Sequence, residues 1–426
     1  MKVRNEHHWV GVCGITALSA LACDPKEELG ARIFDDENLS VTATQACSVC
    51  HGADVGWTGP AQEINEHGAV YEGAVQGRFG NRKPPSSAYA TLVPRFDHTP
   101  EAGYFGGNFW DGRATGWKLG NPAADQAQGP FLNPVEQALP SATELVSRVC
   151  GAEYGDLFRR TWGRRACMDV DKGFEAIALS IEAFESSTAV NQFSSKYDAV
   201  QAGKAKFSAR ERRGQQLFEG RGQCVACHVL DEADGRVLFT DFTFENLGVP
   251  ANPENPFYEM DRVYVDGRPI NPLGRDWVDL GLGGFLEQLA AESSWRDLPY
   301  TAPALRAMSS EELASAAQQN LGKQRVPTLR NVDKRPSPDF VKAYTHNGYF
   351  KSLKAIVHFY NTRDVLERCP GPATSEEALA LNCWPAPEVP GTVNTTELGN
   401  LGLTDAEEDA IVAFLGTLSD GYWRPD

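Results

Sequence analysis

Apolar residues recur at helical spacing in several separate stretches of the chain. Between residues 174 and 184, the apolar side chains fall on one face of a helix: Phe174, Ile177, Ile181 and Phe184. Further helices are predicted at 29–34, 142–150, 214–218, 352–360 and from Thr404, where Glu407 completes a capping box. The stretches 52–108 and 229–300 are rich in Gly and Pro, and we predict long loops there. The pattern favours a mostly α fold.

A short motif follows two of these helices. Each copy has two cysteines separated by two residues and followed at once by a histidine: Cys47, Cys50 and His51 in the first copy, and Cys224, Cys227 and His228 in the second. This is the pattern of covalent haem c attachment, in which the thiols bind the haem vinyl groups and the histidine binds the iron. A zinc site built from the four cysteines is the alternative. It does not explain why a histidine directly follows each pair.

The residues before the two motifs repeat as well. Gly30 and Phe34 precede the first motif. Gly214 and Phe218, which are likewise four residues apart, precede the second. A repeated unit predicts two cytochrome c-like domains, each with one haem and with its first helix packed on its last. We place the domains at 24–195 and 205–426, linked through the polar stretch 188–212, and expect them to pack face to face.

Length and charge narrow the class of protein. The 426 residues suit two or three domains, and 42 % of them are hydrophobic, which is enough for ordinary cores. No run of 18 apolar residues occurs, so no spanning helix is expected. The formal charge of −17 disfavours nucleic acid as a partner and favours a neutral or basic one.

The first 23 residues have the pattern of an export signal. Lys2 and Arg4 give a basic start, and a short, mostly apolar stretch at 9–22 ends in small residues. Cys23 then fits a lipoprotein cleavage site, at which it would become the acylated N-terminus; cleavage next to Cys23 without acylation is the alternative. Both predict a periplasmic location, where haem c is attached and disulfides persist.

The remaining cysteines are even in number. Cys13 and Cys23 belong to the signal segment and four cysteines belong to the haem motifs. Cys150 and Cys167 are then predicted to form one disulfide, and Cys369 and Cys383 another. No cysteine is left over for a catalytic thiol.

The motifs, taken together, resemble the bacterial dihaem cytochrome c peroxidase superfamily, which includes MauG-like enzymes. The resemblance extends over nearly all of the chain after the signal. It rests on the first haem motif and its flank at 29–40, and on four further stretches: 109–113 (Phe-Trp-Asp-Gly-Arg), 126–136, 326–332 and 346–348 (His-Asn-Gly). It implies a peroxide site at the N-terminal haem and an electron-transfer role for the C-terminal haem.

The resemblance also implies roles for single residues. His51 and His228 are the proximal ligands, and Trp110 carries electrons between the haems. Glu136 matches the acid–base group that moves the protons of the peroxide. Gln126 and Pro130 match the rest of the distal pocket. Arg113, Arg330 and His346 belong to the matching stretches and are expected near the cofactors.

The distal ligand of the second haem divides the family. Typical peroxidases have a methionine fourteen residues after the histidine of the His-Asn-Gly stretch, whereas this chain has Tyr360, as MauG-like members do. A thioether favours the lower oxidation state of iron, and a phenolate oxygen favours the higher ones. Met308 or His358 as the true ligand is the alternative.

Two positions depart from the typical pattern. His67 stands sixteen residues after His51, the spacing of a removable sixth ligand, but the landmark Arg82-Lys83-Pro84-Pro85 comes later than in typical members. His67 is therefore either that ligand or a surface histidine. Lys83 replaces an asparagine that in the family helps to bind calcium between the domains, so calcium is doubtful here.

Three functions follow from these features. The first is a MauG-like enzyme that uses hydrogen peroxide to oxidise a side chain of another protein. The second is a peroxidase that reduces hydrogen peroxide with electrons from a small cytochrome or copper protein. The third, a dihaem electron carrier, is disfavoured because it has no use for Glu136 and Gln126. Tyr360 favours the first function over the second.

Overall fold

The computed structural model describes residues 24–233 and 236–422. The predicted export signal, including Cys23, lies outside these residues. Among the described helices, none is both long enough and apolar enough to cross a membrane. The predicted mostly α fold is confirmed, because helices carry the cores and the strands are only two or three residues long.

Short helices joined by long loops build the half of the chain that contains the first haem motif. They are α1 Pro25–Phe34, α2 Cys47–Cys50, α3 Gln62–Asn65, α4 Pro122–Ala127, α5 Gly129–Leu132, α6 Ala142–Gly151, α7 Gly155–Trp162 and α8 Val170–Glu185. The second half contains α9 Lys196–Gln201, α10 Ala209–Glu219, α11 Gly281–Ala291, α12 Pro303–Arg306, α13 Ser310–Gln319, α14 Leu353–Thr362, α15 Ser375–Leu381 and α16 Asp405–Leu415. The sequence predictions for α6, α8, α14 and α16 are confirmed, and Thr404 with Glu407 forms the predicted capping box.

The strands form four separate antiparallel pairs. β1 Asp97–Thr99 pairs with β2 Gly103–Phe105, β3 Glu232–Ala233 with β4 Arg236–Val237, β5 Phe244–Glu245 with β8 Gln324–Arg325, and β6 Tyr264–Val265 with β7 Arg268–Pro269. These pairs hold neighbouring loops together and do not form a larger sheet with a core of its own.

The first helix of each half packs on the last helix of the same half, as predicted. Gly30 of α1 lies so close to α8 that an added Cβ would clash with the carbonyl of Ser180. Gly214 of α10 makes the same approach to the carbonyl of Ala410 in α16. The repeated glycine therefore permits the same close helix crossing twice, and the internal repeat in the sequence is a repeat of structure.

Each half has its own hydrophobic core. The first core contains Leu29, Phe34, Ile177 and Phe184, together with other side chains of α1, α6 and α8. The second contains Phe218, Phe359, Trp384 and Phe414, together with other side chains of α10, α14 and α16. The chain thus forms two cytochrome c-like domains, although the exact boundaries at 24–195 and 205–426 stay a prediction.

A third core was not predicted. Leu282, Leu286 and Leu289 of α11 pack with Leu313 of α13, and the cluster also includes Phe96 from the first half of the chain. The prediction of a continuous loop over 229–300 is therefore wrong from Gly281 onward. The two glycines at 283 and 284 weaken the helix propensity of α11, but Gly283 is required where α11 approaches the backbone of Leu321.

Both predicted disulfides form. Cys150 and Cys167 join the end of α6 to the turn before α8. Cys369 and Cys383 bracket α15. The four cysteines of the haem motifs are free, as attachment to a cofactor requires.

Candidate functional site

Each haem motif lines a separate cavity. Cys47, Cys50 and His51 line the first cavity. Cys224, Cys227 and His228 line the second.

The two motif histidines are oriented by backbone carbonyls. Nδ1 of His51 lies 3.1 Å from the oxygen of Trp57, and Nδ1 of His228 lies 2.8 Å from the oxygen of Phe239. With Nδ1 engaged in this way, Nε2 of each ring is free to bind a metal, which is the usual outer-shell arrangement of a ligating histidine. Burial lowers the pKa of His51 to about 4, so the imidazole is neutral and able to ligate. The residues at both motifs therefore fit haem c.

Trp110 lies between the two cavities and lines both. Its indole Nε1 donates to the oxygen of Lys83 at 3.0 Å, and its own carbonyl oxygen accepts from the N–H of Arg325 at 2.8 Å. The surrounding loop is closed by the amide of Asn108, which donates to the oxygen of Ala114. Trp110 is thus held through its indole by the first half of the chain and through its backbone by the second.

The loop around Trp110 has a backbone that few residues tolerate. Phe109 has φ of 63°, and Gly112 has φ of 77°. A Cβ at Gly112 would also meet the ring of Phe244 at 2.6 Å, so only glycine fits both the conformation and the space. Arg113 then returns over the ring of Phe109, with Cζ 3.8 Å from the ring centroid. The sequence Phe-Trp-Asp-Gly-Arg is therefore a structural unit that fixes Trp110.

Glu136, Gln126 and Pro130 all line the first cavity. Gln126 comes from α4 and Pro130 from the first turn of α5. Glu136 is held by the side chain of Asn133, whose Nδ2 donates to Oε1 at 2.7 Å. Burial raises the pKa of the Glu136 carboxyl, and the charge of Arg113 partly opposes that effect. A buried carboxyl with a raised pKa is suited to both accepting and returning a proton.

An ion-pair chain links the Trp110 loop to the second half of the molecule. Arg82 bonds to Asp279 through two nitrogens and to Asp111 through a third, each at 2.6 Å. Arg113 also pairs with Asp111, at 2.7 Å. Although burial raises the pKa of Asp279, the guanidinium of Arg82 more than offsets it and keeps the carboxylate charged.

Tyr360 lines the second cavity. It lies on α14 with Leu353, Ile356 and Val357, which line the same cavity and share the i, i+3, i+4, i+7 face of that helix. Burial raises the pKa of the phenol above its ordinary value. The helix thus presents one hydroxyl in an otherwise aliphatic wall.

The alternative ligands lie elsewhere. Nδ1 of His358 is 2.9 Å from Oε1 of Glu408, on another side of α14. The sulfur of Met308 accepts from the hydroxyl of Tyr104 at 3.8 Å and packs against the third core. No methionine among the described residues lines the second cavity.

His346 lines the second cavity and faces the Trp110 ring, with centroids 6.4 Å apart. Its Nε2 is buried and makes no hydrogen bond among the described protein atoms. The nearest carboxylate oxygens belong to Glu388, at 3.5 Å, and Asp279, at 3.9 Å. An unpaired buried nitrogen facing the cavity is a further sign that a polar group of a cofactor belongs there.

Two predicted residues lie outside the cavity walls. Arg330 is buried, and its guanidinium bonds to Asp198 and to the oxygen of Val237, so its contacts are those of a structural ion pair. His67 is exposed, and its Nδ1 lies 3.0 Å from Glu254. Neither is among the residues that line the first or second cavity. This geometry favours the surface-histidine alternative for His67.

Sequence reasoning missed Asp279, Glu388 and Glu185, which also line the cavities. Burial raises the pKa of Glu185 at the end of α8 to about 8. Glu185 ends a helix that was predicted, but nothing in its spacing marks it as different from a surface glutamate. Asp279 and Glu388 lie in stretches without a haem motif, so only the folded structure brings them together.

Comparisons with known proteins agree with this geometry. The family model described as "Di-haem cytochrome c peroxidase" matches residues 24–206. The methylamine utilization protein MauG of Paracoccus denitrificans is 32 % identical over 409 residues, which cover 95 % of this chain and 91 % of that protein. The cytochrome c551 peroxidase of Pseudomonas aeruginosa is 28 % identical over 219 residues, which cover 51 % of this chain and 54 % of that protein.

A solved structure extends the likeness to the fold. The crystal structure of the diheme peroxidase BthA from Burkholderia thailandensis superimposes with a TM-score of 0.71 at 27 % identity, and the match covers 93 % of this chain and 86 % of that one. These similarities imply two haem c groups, one at each motif. The chain belongs to the di-haem cytochrome c peroxidase and MauG family.

Proposed function

We propose that this chain is an exported dihaem oxidoreductase in which hydrogen peroxide reacts at the first cavity and a partner protein is oxidised through the second. The observation that carries this proposal is the position of Trp110, which lines both cavities and is held by residues from both halves of the chain. An indole in that position can carry electrons between the two cavities, so a substrate oxidised at one need not reach the other.

Each side chain of the first cavity has a task that its position supports. When bound, the haems supply iron that accepts oxidising equivalents from peroxide and passes them on. Glu136 would accept a proton from one oxygen of the bound peroxide and return it to the other, departing oxygen. Gln126 offers an amide to orient the peroxide, and Pro130 shapes the wall without adding a donor.

The second cavity is suited to holding an oxidising equivalent. Tyr360 would supply a hard oxygen ligand to the second haem, where a methionine sulfur would favour the reduced iron. Leu353, Ile356 and Val357 make the wall around it aliphatic. An oxidising equivalent kept there can act on a protein that docks outside, so the MauG-like function is favoured.

The peroxidase function is the second candidate. Several relatives carry the name cytochrome c peroxidase, and the first cavity would serve that reaction equally well. In that case electrons from a small cytochrome or copper protein would enter at the second haem and reduce peroxide to water. The two candidates differ in the ligand of the second haem, so Tyr360 is the residue to test.

Replacing Tyr360 with Met and with Phe tests the assignment. If Tyr360 binds the iron, we expect Tyr360→Met to raise the reduction potential of the second haem, because a thioether favours the lower oxidation state. Tyr360→Phe should change its optical and EPR spectra. Tyr349→Phe is the matched control, since the Tyr349 hydroxyl bonds only to the oxygen of Ala373. An unchanged spectrum in Tyr360→Phe would leave the MauG-like function without its main support.

Export and anchoring belong to the same proposal. The 23-residue signal predicts cleavage and a periplasmic protein, with Cys23 as the candidate acylated N-terminus. Mass spectrometry of the mature protein decides between the alternatives, because acylation adds the mass of the lipid to Cys23. Recovery of an unmodified N-terminus would assign plain cleavage.

A further inference from the structure

One buried ammonium group joins the two domains. Nζ of Lys342 lies 2.8 Å from the oxygen of Val55, 2.8 Å from the oxygen of Asn331 and 3.3 Å from the oxygen of Lys334. Val55 stands four residues after His51, in the first domain, whereas the other two carbonyls belong to the second. The side chain of Lys342 thus contacts the loop after the first haem motif and the segment 331–334 at once.

The three acceptors around Lys342 are carbonyl oxygens, which are the ligands that hard cations take from a protein backbone. An ammonium carries three N–H donors, whereas a neutral amine carries two. Burial and the nearby charge of Lys83 lower the pKa of Lys342, and the charge of Asp333 acts in the opposite direction. Because three oxygens surround one nitrogen, the geometry matches the charged form.

Lys83 is a second buried lysine near Lys342, and it lines the first cavity. Its Nζ donates to Oγ1 of Thr58 at 2.8 Å and to the oxygen of Pro84 at 3.1 Å. Its backbone N–H donates to the oxygen of His346 at 2.8 Å, and its carbonyl accepts from the indole of Trp110. The segment that carries this lysine therefore positions Trp110 against the second domain.

Calcium does not fit this arrangement. The family resemblance implies a calcium ion between the domains, held in part by an asparagine at the position of Lys83. Here the two buried lysines, Lys83 and Lys342, occupy that region. An ammonium group repels a divalent cation.

We propose that Lys342, with Lys83 beside it, is a tethered cation that replaces calcium between the two domains. The ammonium of Lys342 fills a cage of backbone oxygens, so the contact between the haem domains needs no dissociable ion. Lys342 is a positioning residue, since it lines neither cavity. The inference goes beyond the proposed function, because it holds equally for a MauG-like enzyme and for a peroxidase.

The native holoprotein gives the first test. After gel filtration in metal-free buffer, we expect well under one calcium per chain by plasma mass spectrometry. EGTA should leave the EPR spectra of both haems and the melting temperature unchanged, and added calcium should not raise that temperature. One tightly held calcium per chain, whose removal lowers the melting temperature or alters either haem spectrum, would overturn the proposal.

The second test removes the charge. Lys342→Met keeps most of the side-chain length but takes the ammonium donor away from three carbonyls, of which that of Asn331 keeps the backbone N–H of Lys334. We therefore expect the melting temperature to fall by at least about 4 °C. Lys172→Met is the control, because Lys172 is an exposed lysine of α8 that pairs only loosely with Asp169. A Lys342→Met protein with the same melting temperature as the Lys172→Met protein would contradict the proposal. If Lys342→Met does not fold at all, the calcium measurements on the native protein still decide.

Discussion

The two cavities share a haem motif and an oriented histidine, but their walls differ in chemistry. The first is lined by ionisable and amide side chains, including Glu136, Gln126 and Lys83. In the second, the wall formed by α14 and α16 is aliphatic, and Tyr360 is the hydroxyl on its α14 part, although ionisable side chains such as Asp279 line other parts of the cavity. The repeated fold therefore carries one cavity with a polar wall around Glu136 and one with an aliphatic wall around Tyr360.

We infer from this difference in the walls that the two cavities have different tasks. Breaking the bond between the oxygens of peroxide requires proton transfer, and Glu136 places a buried carboxyl for that step in the first cavity. Under the proposed function, Tyr360 supplies the hard ligand that favours holding an oxidising equivalent at the second. Trp110 lines both cavities, and we expect it to couple them.

The largest effect is expected from Glu136→Gln, which removes the base but keeps the size of the side chain. We expect the reaction with peroxide to slow by about 10²–10⁴-fold, the usual contribution of a general acid–base group. Stopped-flow absorbance after one equivalent of peroxide measures the rate. The change should be confined to the first cavity, so the resting spectrum of the second haem should stay the same.

The control for that experiment is Glu175→Gln, because Glu175 is an exposed glutamate of α8. It should react with peroxide at the native rate. A well-folded Glu136→Gln protein with an undiminished rate would show that the protons move elsewhere and that the contrast between the cavities has another meaning.

A smaller effect is expected from Trp110→Phe, which tests the coupling instead of the chemistry. Phe keeps an aromatic ring but loses the indole and its bond to Lys83, so we expect the second haem to respond to peroxide more slowly while consumption of peroxide at the first changes little. Rapid-freeze EPR distinguishes the two haems in time. Trp117→Phe is the control, since that indole also bonds to a backbone oxygen, that of Phe96, but lines neither cavity. Equal loss in both variants would remove Trp110 from the route.

The sequence predicted the parts of both sites that depend on local motifs. The haem motifs and the helix pairs with Gly30 and Gly214 follow from spacing, whereas the place of Tyr360 was implied by the family resemblance. The third core was missed even though Ser309 and Glu312 form a capping box ahead of α13. Its apolar partner Phe96 lies far away in the chain, and no local pattern indicates such a pairing.

Lys342 shows the same limit at a single residue. Its spacing marks it as nothing more than a surface lysine, because its acceptors are backbone oxygens that any residue could supply. Only the contact between the domains brings Val55 and Asn331 to its ammonium. Polar residues that serve long-range contacts are therefore the ones that sequence reasoning assigns to the surface by default.

The smallest effect is a dependence on pH that only the first cavity should show. Burial raises the pKa of Glu136, so its base form is lost at a higher pH than for an ordinary glutamate, and the rate with peroxide should fall as the pH falls through that raised pKa. The fall is at most about tenfold per pH unit for one titrating group. A pH series of stopped-flow rates measures it.

Lys83 and Glu185 titrate in the same cavity, since burial lowers the pKa of Lys83 to about 7 and raises that of Glu185 to about 8, and the assignment of the acid limb must separate Glu136 from both. Lys83 loses its proton as the pH rises through neutral, whereas Glu136 gains a proton as the pH falls. The limb should therefore survive in Lys83→Met and disappear in Glu136→Gln, whose slow residual rate should not change with pH. A limb that vanishes in Lys83→Met instead would assign the proton transfer to the lysine, and the raised pKa of Glu136 would then have no part in the reaction.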